Sequence, residues 1–186
     1  MKKGWTETVK GIVVRLGSGS TPEIKQVVKE IDALCKRHLE ERFGELRGRQ
    51  ATRALEMVRD GCMRMYGSRK WQERYGGLRG LGALRFSCVL DKKIAELAGV
   101  LLTAIEDDEA RVRLAAANAL GGLKFLQGKQ AQDAYVDAYF QLQDTFNMNA
   151  GGKQRSIGIA LNLMTYPGLD NIMKARGYFP AANQAS

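Results

Sequence analysis

The residues best able to do chemistry are few and scattered in this sequence. His38 is the only histidine, and no cysteine or carboxylate cluster lies near it. A lone histidine in an apolar helical pattern is more often a partly buried helix residue than a metal ligand or a general base. The three cysteines, Cys35, Cys62 and Cys88, show no metal-ligand spacing and stand in apolar helical contexts. We therefore predict buried, unpaired thiols and no metal site.

Two other groups of residues imitate catalytic motifs. Gly76, Gly77 and Gly80 resemble a glycine-rich phosphate loop, but they lie in a predicted helix that follows no strand. The acidic segment 107–109 is a carboxylate cluster that helix capping explains without a metal. Zinc-protease, nucleophile-elbow and P-loop motifs are absent from the sequence. We therefore predict no catalytic residue, no cofactor and no enzyme activity.

The elements that must position any functional residue are helices. The segment from Asp107 to Leu126 begins with capping residues and continues with apolar residues at helical spacing. Its apolar face is largely alanine and glycine, which lets a neighbouring helix approach closely. Helical periodicity throughout the 186 residues predicts one all-α domain with no sheet. The predicted helices cover residues 1–16, 22–43, 49–66, 69–88, 91–106, 109–127, 130–146, 153–164 and 169–175. The second and the last of them are the expected caps.

An internal repeat relates two of these helices. The segment from Arg74 to Phe86 aligns with that from Arg113 to Phe125, which defines a 39-residue offset. Lys153 to Met164 is a weaker third copy, with a 41-residue offset from the second. A helix pair that recurs with a period of this length is typical of HEAT and armadillo arrays.

The sequence DDEARVRLAAANALG of residues 107–121 resembles the second helix of a HEAT repeat. This resemblance implies a short HEAT/armadillo-like α-solenoid of about three helix pairs with capping helices. It also implies a scaffold that binds other macromolecules without chemistry of its own. Arg74 and Arg113 match the position where HEAT repeats often carry an arginine that bonds to the turns between repeats.

The N-terminal segment differs in composition from the rest of the chain. Residues 17–20 read Gly-Ser-Gly-Ser, the composition of a flexible linker and of the tethers used in engineered fusions. We therefore predict a binding peptide at 1–16, a linker at 17–20, a HEAT-like domain at 21–178 and a flexible tail at 179–186. The alternative is a natural loop after a first short helix. The apolar stripe expected to anchor the peptide consists of Trp5, Val9, Ile12, Val13 and Leu16.

The predicted function is that of a non-catalytic protein-interaction scaffold. By the HEAT resemblance, the second helices line the binding face, where Arg79 is equivalent to Asn118 and Arg85 to Lys124. We expect this scaffold to accept an amphipathic helical peptide, with residues 1–16 as one candidate. That peptide is expected to pack on its own body or, because the linker is short, on a second copy of the chain.

Two alternative functions remain open. The turn that contains Lys70 and Trp71 resembles the first repeats of tubulin-binding TOG domains, a HEAT subclass, which implies an acidic partner such as tubulin. The net charge of +9 agrees with that, and also with a basic surface that binds nucleic acid. Because no run of Lys or Arg exceeds two residues, we do not expect nucleic acid to be the main partner. The predicted partner-binding residues are Lys70, Trp71, Arg79, Arg85, Asn118 and Lys124.

The distribution of apolar residues along the sequence predicts the cellular location. No stretch approaches the roughly 18 consecutive apolar residues that a spanning helix needs. Polar residues interrupt the N-terminal stretch where a signal peptide would have its apolar core. We therefore expect a cytoplasmic or nuclear protein that does not bind membranes.

Overall fold

The protein is all-helical in the part of the chain that the computed structural model describes. That part comprises residues 2–41, 45–84, 93–125, 129–165, 168–169, 171 and 174, and within it the side chains of residues 7–36 and 51–174. Eight α-helices account for most of these residues, and none of them lies in a strand. The predicted all-α class is therefore confirmed for the described residues.

The helices follow one another through short connections. A 3-10 turn over Leu123–Phe125 extends the sixth helix. The helices are α1 (Lys2–Ser18), α2 (Thr21–Glu41), α3 (Glu45–Tyr66), α4 (Trp71–Ala83), α5 (Ile94–Ala104), α6 (Ala110–Gly122), α7 (Lys129–Met148) and α8 (Gly151–Met164).

Three of the helices pack side by side in a row. Helix α4 packs against α6, and α6 packs against α8. Each of these helices also packs against the helix that precedes it in the chain: α3 with α4, α5 with α6, and α7 with α8. We call α4, α6 and α8 the second-helix row. Apolar side chains from all eight helices meet in one buried cluster, which supplies the main stabilisation of this arrangement.

Two arginines hold equivalent turns in front of their own helices. Arg74 Nη1 donates hydrogen bonds to the carbonyl oxygens of Ser68 (3.1 Å) and Arg69 (3.0 Å). Arg113 Nη1 donates to the carbonyl oxygens of Asp107 and Asp108, both at 2.8 Å. Both arginines therefore bond to the same two positions of their respective repeats. These turns connect the two helices of one pair, whereas the HEAT resemblance implies bonding to turns between repeats.

Each of these arginines also reaches the next helix pair. Arg74 Nε and Nη2 donate to the Asp107 carboxylate at 2.7 and 3.0 Å. Burial raises the pKa of Asp107, but the hydrogen bonds from Arg74 and from the Glu109 N–H, with the charges of Arg74 and Arg113, outweigh burial and lower it. Arg113 Nε instead donates to the neutral hydroxyl of Ser156 at 3.3 Å. The contact that Arg74 makes is thus ionic, and the one that Arg113 makes is not.

Helix α1 is packed against the rest of the body. It contacts α2, α3 and α4, and Val9, Ile12 and Leu16 are buried in the common core, with Val13 partly buried beside them. The side chain of Trp5 lies outside the described residues. Whether residues 1–16 originated as a separate binding peptide stays a prediction.

The connection between α1 and α2 is shorter than the predicted linker over residues 17–20. Helix α1 continues through Ser18, so that only Gly19 and Ser20 connect it to α2. The Gly19 N–H donates to the Arg15 carbonyl oxygen at 2.8 Å, and the Ser20 N–H donates to the Glu23 carboxylate at 2.6 Å. The first bond closes a last turn on α1 and the second is half of a capping box for α2. Local composition predicts flexibility here, but packing of α1 on α3 and α4 extends the helix.

Candidate partner-binding cleft

The glycines that imitate a phosphate loop lie inside α4 and face other helices. A β-carbon at Gly76 would overlap the carbonyl oxygen of Leu16 on α1, and one at Gly80 would overlap the sulfur of Cys62 on α3. A β-carbon at Gly77 would lie 2.6 Å from the Cys62 carbonyl oxygen. These glycines let helices approach closely, and none of them faces an open site.

The other chemically suggestive residues also have structural roles. Cys35 and Cys62 are buried and outside any disulfide, as predicted. Burial raises the pKa of Cys62 to about 12, which keeps its thiol protonated at neutral pH. Cys88 lies outside the described residues. In the acidic segment 107–109, Asp107 accepts a hydrogen bond from the Glu109 N–H (2.9 Å), and Glu109 accepts one from the Arg111 N–H (3.3 Å). The segment therefore caps α6.

The site best suited to bind a ligand is a cleft between α4 and α6. Its volume is about 300 Å³, large enough for one or two side chains. Both helices contribute a polar and an apolar lining residue, and the start of α2 closes one end. We call it the arginine cleft; it is lined by Thr21, Tyr75, Arg79, Arg111, Leu114, Ala115 and Asn118.

The two arginines of the cleft stack on aromatic rings. The guanidinium carbon of Arg79 lies 6.0 Å from the centroid of the Tyr75 ring, and that of Arg111 lies 5.3 Å from the Trp71 ring. The rings of Trp71 and Tyr75 are themselves 6.5 Å apart at an interplanar angle of 59°. Such cation–π contacts contribute roughly 0.5–1 kcal/mol each at exposed sites. They orient the guanidinium groups and leave their N–H donors available.

The cleft arginines differ from other arginines of the protein in their partners. Arg15 pairs with Glu30, Arg59 with Asp60 and Arg74 with Asp107. Within the part of the chain that the structure describes, neither Arg79 nor Arg111 forms an ion pair or donates a side-chain hydrogen bond. Guanidinium groups match the geometry of carboxylates and phosphates, so the cleft presents two cations suited to an anionic group.

An exposed apolar side chain lies beside these cations. Leu114 is 47% exposed, which is unusual for a large aliphatic residue of this fold. The Asn118 Nδ2 donates to the Leu114 carbonyl oxygen at 2.8 Å, one turn earlier in α6. The cleft therefore combines an anion-binding part with an apolar contact.

The structure brings together some of the predicted partner-binding residues. Arg79 and Asn118 line the arginine cleft, and Trp71 lies at its edge under Arg111. Lys70 precedes α4 and pairs with Glu73 at 3.3 Å. Lys124 does not line the cleft: its Nζ donates to the Leu163 carbonyl oxygen at 3.0 Å and so joins the end of α6 to α8. The remaining predicted residue, Arg85, lies outside the described residues.

Sequence reasoning missed five lining residues of the cleft: Thr21, Tyr75, Arg111, Leu114 and Ala115. The repeat did contain a signal for two of them, because Tyr75 and Leu114 are equivalent at the 39-residue offset and lie one turn before Arg79 and Asn118. Arg111 could be found only from the structure, since its neighbour Trp71 belongs to a different helix.

Comparison of the sequence with protein-family models and with curated proteins finds no match. Among the helices that the structure describes, none is both long enough and apolar enough to cross a membrane.

Proposed function

We propose that this protein is a non-catalytic, HEAT-like scaffold that binds an acidic segment of a partner protein in the arginine cleft. The observation that carries this proposal is the pair Arg79 and Arg111, stacked on aromatic rings with no carboxylate partner among the described residues. A partner carboxylate would complete both guanidinium groups. The exposed Leu114 favours a protein partner, since a protein segment also supplies apolar side chains.

The HEAT-like architecture is proposed from three agreeing features. The 39-residue repeat aligns α4 with α6, these two helices and α8 pack in a row, and Arg74 and Arg113 bond to equivalent turns. Equivalent residues on adjacent helices then form a surface on which a partner contacts several repeats.

In this proposal, residues 1–16 are the amphipathic helix that the scaffold binds. Helix α1 lies on α3 and α4 of its own chain, reached through the turn at Gly19 and Ser20. Burial of Val9, Ile12 and Leu16 in the core of the same chain favours packing within one chain over exchange between two copies. We therefore propose that the arginine cleft, and not the surface beneath α1, serves the partner. Two buried cysteines outside any disulfide support a reducing compartment, such as the cytoplasm or nucleus.

Tubulin is one specific candidate partner. Its acidic surface would suit the cleft arginines, and Trp71, the residue that carries the TOG resemblance, is in contact with Arg111. Nucleic acid is the second alternative, because guanidinium groups also bind phosphates.

Photo-crosslinking tests the proposed function. We would replace Leu114 with p-benzoylphenylalanine and irradiate the full chain in a lysate of its source. Gln143, exposed on α7 and outside the cleft, is the matched control position, and equal labelling there is the unspecific background. We expect a protease-sensitive adduct from position 114 alone, lost in the Arg79→Gln and Arg111→Gln variants. An adduct sensitive to nuclease would favour the nucleic-acid alternative, and equal labelling from position 143 would remove the cleft from the proposal.

A further inference from the structure

The solvent-facing positions of the arginine cleft have equivalents on α8. The 39-residue offset pairs Tyr75 with Leu114, and the 41-residue offset pairs Leu114 with Arg155. In the same way Arg79 corresponds to Asn118 on α6, and Asn118 corresponds to Ile159 on α8. If the repeat holds in three dimensions, these positions continue the binding surface of the cleft across the whole second-helix row.

Contacts between α6 and α8 show which face of α8 meets α6. Near the start of α8, Ser156 accepts a hydrogen bond from Arg113. Near its end, Leu163 lies so close to Gly121 that a β-carbon there would be 2.6 Å from the Leu163 β-carbon. Ser156 and Leu163 are seven residues apart, about two helical turns, and so lie on the face of α8 that meets α6. Arg155 precedes Ser156 and is exposed, so it lies beside that face towards solvent.

Among the described residues, helix α8 also presents a cation without a carboxylate partner, as the cleft does. Arg155 is exposed and forms no ion pair within the described part of the chain. Leu114 lies on α6, between Arg79 on α4 and Arg155 on α8, and shares its helix with Arg111. The surface therefore presents a cation on each of the three helices and an exposed aliphatic side chain on the middle one.

We infer that the partner contributes an extended acidic segment that crosses α4, α6 and α8 in turn. One carboxylate lies at Arg79 on α4, a second lies at Arg155 on α8, and an apolar side chain between them packs on Leu114 beside Arg111. This inference rests on the proposed function and specifies its partner. An extended chain suits the cleft better than a helix does, because 300 Å³ admits side chains but not a helix about 10–12 Å across.

Helix geometry sets the spacing of the two carboxylates. Packed helices lie about 8–10 Å apart, so the distance from α4 to α8 is about 16–20 Å. An extended segment advances about 3.3 Å per residue and covers this distance in about six residues. A helical segment advances about 1.5 Å per residue and would need about 11–13 residues. The spacing of acidic residues therefore distinguishes the two kinds of segment.

Fluorescence anisotropy with labelled synthetic peptides tests this inference. One peptide carries two aspartates six residues apart with leucine two residues after the first, so that all three side chains share one face of an extended chain. A second has the same composition with aspartates twelve residues apart on a helix-forming background. We expect the first peptide to bind the full chain more tightly. Arg155→Gln, Arg79→Gln and Arg111→Gln should each weaken its binding by about three- to tenfold. The control Arg53→Gln removes the same charge from an exposed position of α3 and should have a smaller effect.

The outcomes separate this inference from the proposed function. If the Arg79 and Arg111 variants weaken binding while Arg155→Gln equals Arg53→Gln, the extension to α8 is overturned and the arginine cleft stands. Tighter binding of the twelve-residue peptide would overturn the extended conformation. If neither peptide binds, the inference fails, while the crosslink from position 114 still decides whether a protein occupies the cleft.

Discussion

Helices α4 and α6 are equivalent in the repeat, yet α4 has glycine at three positions where α6 has alanine. Gly76, Gly77 and Gly80 correspond to Ala115, Ala116 and Ala119 at the 39-residue offset. All six positions are buried. The difference lies in what packs on each helix. The α1 backbone lies against α4 at Gly76, whereas α4 packs on α6 through Gly82, which faces Ala119.

This comparison shows that a repeat can retain its register while its contacts change. The three glycines cost helix α4 up to about 1 kcal/mol each in intrinsic propensity relative to alanine. Close packing of α1 and α3 on α4 offsets that cost, since the missing β-carbons allow backbone contact. We conclude that α1 lies at the N-terminal end of the second-helix row. It packs on α4 in the way that α4 packs on α6.

The largest expected effect comes from exchanging residues between the two helices. Gly76→Ala should destabilise the protein by about 3 kcal/mol, because its β-carbon would overlap the backbone of Leu16 and a helix backbone yields little. The reverse change at the equivalent site, Ala115→Gly, should cost only about 1 kcal/mol through helix propensity and lost contact. Urea unfolding followed by circular dichroism measures both. Equal losses would mean that α1 does not pack on α4 in solution.

The two turn-holding arginines should differ by a smaller amount. Arg74→Gln leaves the Asp107 carboxylate, only 10% exposed, without its cation, and should cost about 2–3 kcal/mol. Arg113→Gln loses hydrogen bonds to neutral groups and should cost about 1–2 kcal/mol. The free energy of unfolding of each variant, measured by denaturant titration at pH 7, tests this order.

The Arg74–Asp107 pair should also affect how the stability of the protein depends on pH in the acid range. Because the pKa of Asp107 is lowered in the folded protein, its stabilisation is complete above the unfolded value near 4 and is lost as the pH falls through the folded value. Arg74→Gln should therefore lose less stability between about pH 5 and pH 2 than the unmodified chain does. If both lose the same amount, the ion pair does not stabilise the junction.

A third pair of substitutions concerns the opposite side of the row. Gly82 and Gly121 are equivalent and face the next helix, but a β-carbon at Gly82 would make an ordinary contact of 3.7 Å with Ala119. Gly82→Ala should therefore be neutral or stabilise the protein by up to about 1 kcal/mol. Gly121→Ala would crowd Leu163 and should cost about 1–2 kcal/mol. Thermal unfolding midpoints compare the two, and a destabilising Gly82→Ala would contradict the α4–α6 contact.

Helical periodicity and the internal repeat determined much of this protein from sequence alone. Apolar spacing predicted nine helical segments, of which the first eight are helices in the described residues. The 39-residue offset predicted the equivalence of Arg74 and Arg113. These features depend on residues close together in the chain or in equivalent places, so local patterns reveal them. The predicted helix ends differ by a few residues, as at Ser18, where tertiary contacts extend the helix.

Only the tertiary structure decided which helices meet, and with that the roles of particular residues. Periodicity shows which face of α4 is apolar, but not that the backbone of α1 covers Gly76. Likewise, charge patterns assign Lys124 and Arg79 to one surface, whereas packing directs Lys124 to α8 and leaves Arg79 beside Arg111 in the cleft. The physical reason is that a side chain's partner depends on contacts between distant parts of the chain, and a helix of given pattern can pack against several neighbours.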